Sequence, residues 1–160
     1  MDDFIIKNLD LKNIENLFQS HKQKVSRSLV GKSVDIQHVG ATSVIGLISK
    51  GDLDIQIRVS RDDFEPTKEV LSKEYEPAQE ENWTKTFASF KDDSGETAVG
   101  LQLTIINSEE DSYFYKLRDI LNEDVSARES FNQLKREYDG KSMDDYRKAK
   151  SKFIEGLFSK

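Results

Sequence analysis

The octapeptide DLDIQIRV, residues 52–59, restricts the fold more than any other stretch of the chain. Strand side chains alternate between faces, so Leu53, Ile55, Ile57 and Val59 make one apolar face. Asp52, Asp54, Gln56 and Arg58 make the other. A segment of this kind belongs in a sheet packed on one side and open to something polar on the other. Aspartate is depleted in strands, which gives the polar face something to explain. The two aspartates stand about 6.6 Å apart at Cα with both carboxylates on one side. Carboxylates so placed can converge on Mg²⁺, which takes hard oxygen ligands together with substrate phosphates. They can also bridge two ions about 3.5–4 Å apart, as two-metal phosphoryl chemistry requires. For the D-x-D alone, two acids displayed to water are the simpler account; the turn ahead of it reverses that preference.

That turn is Gly40-Ala41-Thr42-Ser43. Glycine lets a ligand approach the backbone closely, and the N–H groups of a helix start suit a phosphate. Thr42 or Ser43 caps a short helix expected to run through Leu47. Other motifs fail. Gly46 to Gly51 has the glycine spacing of a P-loop, but Asp52 stands where its lysine belongs. There is no G-x-G-x-x-G, and no serine lies in a G-x-S-x-G turn. Of the two histidines, His21 is expected on a solvated helix face, and His38 at a strand end serves either a structural or a functional role.

The rest of the chain is an uninterrupted mixture of helix and strand. Asp10 caps a helix with apolar residues at Leu11, Ile14, Leu17, Phe18, Val25 and Leu29. A short strand follows over 33–39. Asp62 or Asp63 caps a helix reaching about Tyr75, with Pro66 tolerated in its first turn. Strands are expected over 84–91 and 97–106 around the turn Asp92-Asp93-Ser94-Gly95. Gln102 and Thr104 should share the face of Asp52 and Asp54. Helices are expected over 109–122, 126–138 and 143–158. The prediction is one α/β (α+β) domain over 1–160, with a mixed core of about 1–107 and a helical part of about 108–160.

Composition narrows the function. Cysteine is absent, which removes thiol nucleophiles and cysteine-ligated zinc. No apolar run approaches bilayer length, and the start MDDFIIKNLD carries acid where a signal peptide carries base; a cytoplasmic protein with no membrane partner is expected. The net charge of −6 is uneven: residues 60–115 hold 5 basic and 14 acidic side chains. An acidic middle opposes an extended nucleic-acid surface, which needs clustered Lys and Arg.

Residues 38–59 resemble the signature of the GrpB-like family of the nucleotidyltransferase superfamily. The likeness rests on His38, Gly40, Thr42, Ser43, Val44, Gly46, Leu47, Lys50, Asp54, Ile55, and Ile57 or Val59, with Asp52 supplying the first acid of the superfamily's D-x-D. Leu117 to Leu121, Leu134-Lys135, and Tyr146, Lys150, Phe153 and Ile154 extend it to the C-terminal third. The resemblance implies a nucleotidyltransferase-like sheet core with a helical C-terminal part. It implies binding of a nucleoside triphosphate with Mg²⁺, and nucleotidyl transfer to an acceptor that it does not identify. Asp52 and Asp54 would hold metal; His38, Gly40, Thr42, Ser43, Lys50, Arg118, Lys135 and Lys150 would line the phosphate site. Lys50, Lys135 and Lys150 otherwise read as surface charge. Ala41 replaces a family serine, and Gln102 and Thr104 occupy the strand where the superfamily places a third acid. The rival reading is a binding or regulatory module for a nucleotide or coenzyme A-related ligand on the same fold.

Overall fold

The apolar face of DLDIQIRV becomes the floor of the main core. A computed structural model describes residues 2–160. Its elements run α1 (Leu11–Ser28), β1 (Asp35–Val39), β2 (Leu53–Val59), α2 (Arg61–Glu74), β3 (Glu76–Pro77), β4 (Phe87–Asp92), β5 (Val99–Ile105), α3 (Glu109–Glu123), α4 (Val125–Tyr138) and α5 (Met143–Phe158). The strands form one sheet in the order β1-β2-β5-β4-β3. β2 pairs parallel with β5, Leu53 opposite Val99 and Val59 opposite Ile105, and the other pairings are antiparallel. Leu53, Ile55, Ile57, Leu101, Leu103 and Ala88 pack, with no exposure, against Ile14, Phe18 and Val25 of α1 and Phe64 and Leu71 of α2. A second cluster joins Val44 and Leu47 to Leu121, Ala127, Phe131 and Leu157 of the C-terminal helices.

Local chemistry explains most boundaries. Asp10, Ser108, Asp124 and Ser142 each accept a backbone N–H at a helix start. At α2 the cap is Ser60, not Asp62 or Asp63; those two fall in the first turn, where acid favours the helix dipole. The helix expected from Thr42 through Leu47 is only a 3-10 turn over Ala41–Ser43. Val44, at φ −111° and ψ 117°, already takes the chain into extended conformation. β2 begins at Leu53, so Asp52 lies just outside it. β1 and β4 start later than expected, at Asp35 and Phe87. His21 is buried, not solvated: its Nδ1 shares a 2.7 Å hydrogen bond with the Tyr75 hydroxyl.

The polar face of β2 is spent partly on holding α3. Asp111, in the first turn of α3, is wholly buried. Arg58 donates to it from Nε at 2.7 Å and Nη2 at 2.8 Å. Thr104 Oγ1, Gln56 Nε2 and the Asn107 N–H add bonds at 2.8, 3.0 and 2.9 Å. Arg58 also reaches Asp35 on β1 at 2.8 Å. The Asp111 carboxylate thus ties α3 to β2 and β5, and Arg58 extends the link to β1.

Burial alone would raise the Asp111 carboxyl, but the bonds from Arg58, Asn107 and Thr104 hold it below the ordinary range. A group depressed in the folded state contributes stability that is present above its unfolded value and lost as pH falls through the folded one. Removing one partner of a buried pair costs about 3–5 kcal/mol because the other charge is stranded. Asp111→Ala should therefore lower the free energy of unfolding by about 3–5 kcal/mol in denaturant titrations near neutral pH. The gap to wild type should shrink under acid.

Candidate functional site

The remaining polar residues of the inner face open into a cavity of about 190 Å³ between the sheet and the C-terminal helices. Its sheet wall is Val39, Gly40, Asp54 and Gln102, and its helical wall is Tyr113, Phe114, Leu117, Arg118 and Leu121 of α3. Phe131 and Lys135 of α4 and Lys150 of α5 close it. Most of the lining is apolar or aromatic, with a few convergent polar groups, which is the usual make-up of a ligand pocket.

Asp54 is held between two glycines. Gly40 has φ +75° and ψ −176°, a conformation essentially restricted to glycine, and a Cβ there would overlap the Asp54 carboxylate. A Cβ on Gly100, the β5 partner of Asp54, would lie 3.0 Å from Oδ1. Burial raises the Asp54 carboxyl; the Lys150 ammonium opposes that, and Asp52 reinforces it.

Lys135 is 3% exposed and lies 4.5 Å from the centre of the Phe131 ring. Among the described residues it forms no salt bridge. It lines the cavity together with Lys150. Burial, reinforced by the charge of Lys150, lowers it to about 7, with Asp54 acting the other way. Lys150, half-buried, is lowered by the same desolvation, with Asp54 opposing. These two lysines are therefore not the surface charges that their sequence positions suggested.

The other expected site residues divide. Arg118 lines the cavity, anchored by Nη1 to Gln37 Oε1 at 2.7 Å and the His38 carbonyl at 3.2 Å. Thr42 is buried with its hydroxyl 2.9 Å from His38 Nε2, and Ser43 Oγ donates to the Gly40 carbonyl at 2.5 Å. Both hydroxyls thus brace the turn. Asp52 pairs with Lys50 at 2.7 Å and borders a different depression, beside Asp10 and Glu96. Gln102 does share the face of Asp54, and Thr104 on that face binds Asp111. The aromatic wall was missed in the sequence. Tyr113, Phe114, Leu117 and Leu121 fall on one helical face, a periodicity that could have revealed it.

This donor set does not suit a resident Mg²⁺. One carboxylate lines the cavity, an amide stands beside it, and two ammonium groups converge on it. No group of three or more His, Asp or Glu able to hold a metal occurs among the described residues.

A family model described as GrpB protein matches residues 10–160. The chain belongs to the GrpB family. A UPF0157 protein of Vibrio cholerae is 31% identical over 142 residues, covering 88% of this chain and 73% of its own. The crystal structure of the conserved protein GrpB from Enterococcus faecalis superimposes with a TM-score of 0.73 at 16% identity, over 96% of this chain and 99% of that one. Cid1 poly(U) polymerase, in a structure described as Mg 3′-dATP bound, gives 0.50 at 14% identity over 77% of this chain. The match spans 40% of the Cid1 chain. A second Cid1 structure, described as an RNA terminal uridylyl transferase, gives 0.52. The fold of this GrpB-family chain is nucleotidyltransferase-like.

A lysine lowered in the fold destabilises it while the unfolded chain still binds the proton, so stability rises with pH between the two values. For Lys135 that window opens near pH 7 and extends towards the ordinary lysine value of 10.5. Lys135→Met should unfold at higher denaturant than wild type at pH 7. Its advantage should fade by pH 9–10, as read from unfolding midpoints across pH.

Proposed function

We propose that the cavity binds the phosphate of a phosphorylated small molecule, a nucleotide or a coenzyme A-related compound, and that the protein does so in the cytoplasm. The observation that carries this reading is Lys135, a buried cation with no acid paired to it, opening beside Lys150 into an aromatic-lined cavity. An ammonium group removed from water is costly unless paired; an anion in the cavity supplies the missing partner. Arg118 adds a fixed positive charge at the wall. At about 190 Å³ the cavity encloses the phosphate end and an adjoining apolar portion, and leaves the rest of a nucleotide outside.

Ligand that binds only the folded state raises stability by mass action, about 2.7 kcal/mol at a hundred times Kd. A thermal-shift panel of the four nucleoside triphosphates, AMP, pantetheine 4′-phosphate, coenzyme A and dephospho-coenzyme A, with and without Mg²⁺, should show a rise in Tm for at least one member. Lys135→Met should abolish it. A flat panel overturns the reading.

Nucleotidyl transfer with Mg²⁺ to an acceptor is the second reading, favoured by Asp54 on β2 beside the glycine turn. Gln102 is then the residue that limits it, an amide where a carboxylate would complete a cation site with Asp54. Gln102→Asp should bring measurable Mg²⁺ binding in calorimetry where wild type gives little heat. Equal titrations would count against transfer at this site.

A further inference from the structure

We infer that the cavity takes a phosphomonoester dianion on a compact, partly apolar molecule, and takes it without a divalent cation, Lys135 and Lys150 providing the neutralisation that a metal ion would otherwise supply. This inference rests on the phosphate-binding reading above and narrows its ligand.

The charge inventory leads there. From α4 and α5 come two ammonium groups, Lys135 and Lys150, neither in a salt bridge among the described residues. From β2 comes one carboxylate, Asp54. α3 contributes Arg118, whose Nε is bonded to Asp119 at 2.9 Å. Of the charges just outside, Lys50 and Asp52 neutralise one another at 2.7 Å, and Arg147 is engaged by Asp144 at 3.7 Å. Basic groups thus outnumber acidic ones in the cavity lining, three to one. A metal ion must enter against two ammonium groups, with a single carboxylate to hold it. An anion enters with both ammonium groups in its favour.

Geometry points the same way. Mg²⁺ keeps near-octahedral oxygen coordination at about 2.0–2.1 Å and retains several waters. The cavity offers it one aspartate and one amide oxygen, between walls of Tyr113, Phe114, Leu117 and Phe131. The same apolar wall suits the carbon body next to a phosphate. Gln102 can turn its Nε2 donor towards an anion, which a carboxylate at that position could not do. The volume, about 190 Å³, falls below the 300–1,000 Å³ range of pockets that enclose drug-sized ligands, so the enclosed part of a ligand is small, one phosphate and the carbon body next to it.

Calorimetric titration of the full chain with AMP, pantetheine 4′-phosphate, inorganic phosphate and ATP, each in EDTA and again in excess MgCl₂, tests this. The expected result is that at least one monoester binds with the same affinity in both buffers, and more tightly than inorganic phosphate or ATP. Lys150→Met should weaken that binding at least about tenfold, as loss of a charged hydrogen bond does. Lys150→Arg, which keeps the charge, should retain most of it. Thermal unfolding of both variants checks that they are folded. Binding of ATP alone and only with Mg²⁺ would overturn the inference and leave the phosphate-binding reading standing. No heat from any probe in either buffer would overturn both.

Discussion

Asp111 carries its charge where no water reaches it, and five donors from Arg58, Thr104, Gln56 and the Asn107 backbone surround it. Such a group is tolerable only if nearly every lone pair is met. Meeting them requires β2, β5 and the start of α3 to stand in one arrangement, and Arg58 passes the constraint to β1 through Asp35. The angle at which α3 crosses the sheet follows from this, and with it the wall of Tyr113, Phe114, Leu117, Arg118 and Leu121. Four turns of helix are aimed by one carboxylate. Gln56 shows how tightly the arrangement is drawn, since its Oε1 is left buried without a partner while its Nε2 serves Asp111 and Thr104.

The sheet's inner face thus divides along its length. At the Val59 end its polar groups are consumed in the anchor, and at the Leu53 end they remain open to the cavity. Asp54 and Gln102 belong to the open end, and Gln56, Arg58 and Thr104 to the closed one. The apolar helices have a second effect. By excluding water they shift the Asp54 carboxyl upward and both lysines downward, so three groups titrate closer to neutrality than they would on a surface.

Local pattern made much of this visible in the chain. The alternation of DLDIQIRV gave the two faces of β2, and Met143–Phe158 matched its helix from Ser142 onward because cap and periodicity agree there. Asp10 was legible as a cap for the same reason. Long-range geometry was not. Nothing local distinguishes Lys135, buried under α3 and α5, from an ordinary helix-surface lysine. His21 looked solvated because its partner, Tyr75, is 54 residues away. Asp52 obeys the same period of two as Asp54, and its charge does act on Asp54. The sequence did not show that the strand begins one residue later or that Lys50 pairs with its carboxylate. Composition placed the acid in the middle of the chain but gave no hint that basic groups would outnumber acidic ones in the cavity lining.

The two glycines flanking Asp54 differ in what constrains them, and that sets an order on how this site could drift. Gly40 is fixed by its own backbone angles, so no change at residue 54 frees it. Gly100 has an ordinary strand conformation and is crowded only by Oδ1 of Asp54. A lineage that lost the carboxylate would take alanine or serine at 100 without that contact, and a returning acid would then have to move its Oδ1 by a few tenths of an ångström. Residue 100 can therefore follow residue 54, whereas residue 40 cannot.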